Sequence, residues 1–131
     1  MRVTKYIVLT IFVLMVVVGI FLKYQNDQKG KEMIGYLNKA HEYEQQGADA
    51  KAIEYYQKMI VAAPQTASAG VANIGISMIY FKQKNLEKAL YYCNQASESP
   101  QIKSEKMYGF CTDLAINENV WKERFKGTTW K

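Results

Sequence analysis

Histidine occurs once in this sequence, and cysteine and proline twice each. A lone histidine, His41, rules out paired-histidine metal motifs and the usual zinc ligand sets. No glycine-rich phosphate loop, GxSxG elbow or Walker-type run occurs either, so the common nucleotide and hydrolase chemistries have no carrier. His41 stands beside Glu42 and Glu44 and reads as a solvated helix histidine rather than a general base. The acidic residues are scattered among lysines, as on solvated helix faces. No stretch sustains the period-two alternation of a β-strand. The chain therefore reads as non-catalytic, with no cofactor and no metal.

Charge of one sign is also scarce once position is considered. The formal net charge is +5, but Arg2, Lys5 and Lys23 belong to the first 23 residues, which hold no acid. The remainder carries 14 Lys and Arg against 12 Asp and Glu, too mild and too interspersed a surplus for nucleic acid.

What the sequence does have is one long apolar run. Tyr6–Leu22 is 17 residues without a charge. As a helix it spans about 26 Å, slightly less than a ~30 Å hydrocarbon core. Lysine and arginine stems at its ends can make up the difference, and Tyr6 and Tyr24 suit the interfaces. A cleaved secretory signal would have a shorter run ending in a small-x-small site, which Gly19-Ile20-Phe21-Leu22-Lys23-Tyr24 does not supply. Residues 1–24 are thus read as an uncleaved membrane anchor, with the membrane contact through residues 6–22. Cations flank both ends, so their count does not set the orientation. The expectation taken is that of a bacterial inner-membrane signal anchor, with the soluble part on the outer, periplasmic side.

After the anchor, the polar residues 25–30 read as a short linker or a frayed helix. The rest divides into 31–64, 65–100 and 101–131. A first helix is predicted from Lys31 to Gln46 and stopped by Gly47. A second begins at Asp49, expected to act as its cap, and is closed by Pro64. Gln65–Gly70 reads as a connector before a helix from about Val71 to Gln83. Asn85 caps the next helix and Pro100 ends that segment. A fifth helix is expected from about Ile102 to Ile116, and a shorter one from Asn119 to Lys126. Gly47-Ala48-Asp49-Ala50-Lys51-Ala52-Ile53-Glu54-Tyr55-Tyr56 is answered 37 positions later by Lys84-Asn85-Leu86-Glu87-Lys88-Ala89-Leu90-Tyr91-Tyr92-Cys93. Such a period indicates stacked helical hairpins, which build a surface rather than a reaction centre.

These residues resemble the tetratricopeptide repeat family. Ala40, Ala52, Ser77 and Ala89 stand at its small helix-crossing positions, Tyr36, Tyr43, Tyr56 and Tyr80 at its aromatic ones, and Pro64 and Pro100 after its second helices. Lys84 departs from the family's turn glycine, which Gly47 supplies in the first unit. The resemblance covers about Lys31 to Pro100 and implies an all-α stack of two repeats with capping helices behind. It also implies a concave groove on the first helix of each pair, receiving an extended peptide or amphipathic helix of a protein partner. Position by position, that groove falls on Ile34, Leu37, His41 and Glu44, on Val71, Ile74, Met78, Phe81 and Lys82, and on Tyr108 of the fifth helix. The alternative is that these side chains form the small core, or that the Trp121–Lys131 tail fills the groove.

Cys93 and Cys111 lie at similar depth if their helices pack antiparallel about Pro100. Either they form a disulfide in an oxidising compartment, or they are two small buried hydrophobes. The function expected is a membrane-anchored adaptor that recruits a protein partner in envelope assembly, secretion or translocation. A structural subunit held through its anchor and an organellar presequence receptor are the alternatives.

Overall fold

The computed structural model describes residues 2–99 and 105–126, with side chains over 6–99 and 109–126. Among the described residues there are six helices and no strand: α1 (Arg2–Gln45), α2 (Asp49–Ala62), α3 (Ala67–Lys82), α4 (Leu86–Ser97), α5 (Glu105–Ile116) and α6 (Glu118–Phe125). The chain divides into two units, Met1–Ile34 and Gly35–Lys131. Pro100 and residues 127–131, with Trp130, lie outside the described residues.

The amino-terminal unit is the first part of α1, its apolar run and the polar turns that follow. Ile7, Leu9, Phe12, Met15, Val18 and Phe21 point to different sides of the helix and all are exposed. The apolar stretch shows apolar side chains on every side with none of them buried, and the helix is long and apolar enough to cross a membrane. The Thr10 hydroxyl is satisfied within the helix, Oγ1 donating to the Tyr6 carbonyl at 2.7 Å. Residues 25–30, expected as a short linker or a frayed helix, are helical and part of α1. Gly30 costs roughly 1 kcal/mol in a helix interior, too little to break a helix already propagating on either side of it.

In the second unit, two hairpins repeat the same local chemistry. α1 ends at Gly47 with φ 70°, where Gly47 N–H donates to Glu44 O and Ala48 N–H to Tyr43 O at 2.8 Å. At the end of α3, Lys84 takes φ 59°, Lys84 N–H donates to Phe81 O, and Asn85 N–H to Tyr80 O at 2.8 Å. Both are Schellman-type ends, and each reverses the chain into an antiparallel partner helix. Asn85 Oδ1 then accepts from Lys88 N–H at the start of α4. Thr66 Oγ1 accepts from Ala69 N–H, which starts α3 at Ala67, earlier than the Val71 expected from its alanine- and serine-rich lead-in. Asp49 does not cap α2. Ala48 holds the cap position, and the Asp49 carboxylate instead accepts from Gln83 Nε2 at 2.9 Å across the α2–α3 layer.

The crossings are closed by small residues. Ala40, Ala52, Ser77 and Ala89 are all 0% exposed, which is what close approach of two helix backbones requires. Ser77 hides its hydroxyl by donating to the Ala89 carbonyl at 2.7 Å. Beyond α4, α5 and α6 pack on the second hairpin around Leu86, Ala89, Cys93 and Leu114.

Candidate functional site

The face formed by the first helices of the two hairpins is the natural place to look for a partner site, and the structure sorts its side chains into three groups. His41, Met78 and Lys82 are exposed, Met78 at 52%. Leu37, Glu44 and Val71 are half-buried. Ile74 is buried against Ala96 and Cys111, and Phe81 packs edge-on against Phe110 and Trp121 and tilted against Phe125, at centroid distances of 4.8–5.6 Å. Ile74 and Phe81 are therefore core, because α5 and α6 bring apolar rings over that end of α3. Ile34 is exposed and lies in the amino-terminal unit. Tyr108 is on α5, with its side chain outside the described residues.

Tyr56 organises the first hairpin's share of this region. Its hydroxyl donates to Glu44 Oε1 at 2.5 Å, and the His41 ring meets its edge at 6.2 Å. Burial, then the hydrogen bond to Glu44 and its negative charge, push the phenol well above the ordinary tyrosine range. The hydroxyl end of the ring lies against Gly75, where an added Cβ would sit 2.5–2.9 Å from ring carbons. Lys82 is drawn towards Asp49, Nζ to Oδ1 3.5 Å.

The flanks of the hairpins repeat each other. Tyr43 stacks on Tyr55 at 5.5 Å under Lys51, and 37 positions on Tyr80 stacks on Tyr92 at 5.7 Å under Lys88. Cys93 of α4 and Cys111 of α5 are joined as a disulfide with Cα atoms 5.3 Å apart.

A cleft away from this face was not foreseen. The carboxyl ends of α2 and α4 and the start of α3 enclose a cleft of about 220 Å³. Ile60, Pro64 and Ala69 supply its apolar wall, and Asn73, Gln95 and Glu98 its polar groups, with Gln65 and Ser99 at the margin. The signal for it was present in the repeat. Tyr36 and Met59 fill the first hairpin, while their equivalents 37 positions on are Asn73 and Ala96, both smaller.

The family profile of the tetratricopeptide repeat matches residues 35–66. The first hairpin is a tetratricopeptide repeat. The second lies outside that match but reproduces the repeat's turn, small crossings and tyrosine stack. Neither a curated protein nor a solved structure matches the chain. Tetratricopeptide repeats are typically protein-interaction modules, so the match suggests a protein-interaction role.

Proposed function

We propose that this chain is a non-catalytic, single-pass membrane protein that holds a protein partner on the face of α1 and α3. The observation that carries the reading is Met78. A large, adaptable apolar side chain half open to solvent is a suitable anchor for a partner, and it occupies the repeat position of the exposed His41. Leu37 and Val71 extend the apolar strip, and Glu44 and Lys82 give it a polar edge. An amphipathic helix or an extended segment is the matching ligand.

The membrane part of the proposal is supported by the unburied apolar stretch of α1. The side of the membrane is supported by the Cys93–Cys111 pair, since disulfides persist in oxidising compartments. The soluble unit is accordingly assigned to the outer side of a bacterial inner membrane, where an adaptor for assembly or export machinery would work. Met78→Asp tests the site. It should leave thermal unfolding within about 0.5 kcal/mol of the parent while the partner no longer co-purifies with the anchored protein. Undiminished co-purification would remove the face from consideration.

A further inference from the structure

The cleft between α2, α3 and α4 shares no residue with the α1–α3 face, and its chemistry differs. Asn73 is 7% exposed, lines the cleft, and has no hydrogen-bond partner for its carboxamide among the described residues. Its amide atoms are open to the cleft, where a ligand group can meet them. Among the described residues, Glu98 is the only formally charged one lining the cleft, and it has no ion pair there. No lysine or arginine among the described residues lines the cleft. At about 220 Å³ the space falls below the ~300–1,000 Å³ of ordinary small-molecule pockets. It is sized for one side chain.

We propose that this cleft receives a single arginine side chain of a bound polypeptide. The guanidinium group is a flat fork of five donors with no acceptor. It would meet the Glu98 carboxylate and the amide oxygens of Asn73 and Gln95, while its methylene stem lies on Ile60, Pro64 and Ala69. The pocket exists because the second hairpin carries Asn73 and Ala96 where the first carries Tyr36 and Met59. Its walls are fixed by helix ends already capped, with Thr66 holding the start of α3.

The test is titration of the full chain in detergent micelles with N-acetyl-arginine amide, followed through the side-chain amide resonances of Asn73 and Gln95. Saturable shifts are expected, with a Kd on the order of millimolar. N-acetyl-citrulline amide, which has nearly the same shape and no charge, should give none. Glu98→Gln, an exposed change that leaves the fold alone, should weaken binding about tenfold. Asn73→Tyr should fill the cleft and abolish the Gln95 shift. Met78→Asp should leave the titration unchanged. Equal shifts with citrulline, or undiminished binding in Glu98→Gln, would overturn the proposal.

Discussion

Gly75 and Tyr56 meet where the two hairpins press together, so the smallest possible change at 75 has a large effect. An added methyl would collide with a ring whose hydroxyl is already held by Glu44. Gly75→Ala should therefore destabilise the soluble unit by about 1–3 kcal/mol, read by chemical denaturation. Lys84 presents the opposite case, a non-glycine residue in the left-handed region at the position of Gly47. Lys84→Gly relieves strain of about 1–2 kcal/mol and gives back ~0.5–1 kcal/mol of unfolded-state entropy, a net gain of a few tenths to ~1 kcal/mol. The Tyr56 phenol titrates higher in the folded chain than the ~10 expected unfolded. Its contribution is thus fully present below pH ~10 and is lost as pH rises beyond that value. In urea melts across that range, the stability difference between the parent and Tyr56→Phe should shrink with rising pH; a constant difference would argue against the buried Tyr56–Glu44 bond.

At the scale of the element, the crossings and the clasp between α4 and α5 decide what holds. Ala52→Leu or Ala89→Leu should each cost about 1–3 kcal/mol by overpacking a completely buried contact. Cys93 and Cys111 are 18 residues apart in sequence, a loop whose closure is worth about 3 kcal/mol by chain entropy. Replacing both by serine should lower stability by that order, and alkylation without reductant should leave both sulfurs of the native protein unlabelled. Much of this was readable beforehand. Gly47, Asn85, Pro64 and the 37-residue period mark the hairpins because turn and cap chemistry is local. The face was less legible. Phe81 occupies a groove position by repeat register, but its partners Phe110, Trp121 and Phe125 come from helices beyond the repeat, and only packing brings them there. The cleft was missed for a different reason: it follows from volume that Asn73 and Ala96 fail to fill, and an absence is hard to see in a string of letters. The helical 25–30 segment shows propensity overruled by continuity with helix on both sides.

At the scale of the molecule, the proposed division of labour gives the membrane to the apolar helix and the partner to the repeat unit. If the anchor only tethers, an unrelated apolar helix of equal length in place of residues 6–22 should preserve partner retention. Loss of retention on that exchange would favour a subunit built into a complex through its membrane helix. The central claim, that α1 and α3 present a partner site, is tested most directly by in-cell photocrosslinking from a probe at position 78, with protease accessibility read in parallel. The account predicts one discrete adduct, formed with the soluble unit on the outer side and lost when Leu37 and Val71 are changed to aspartate. An inserted, folded protein that yields no adduct from position 78 would contradict it.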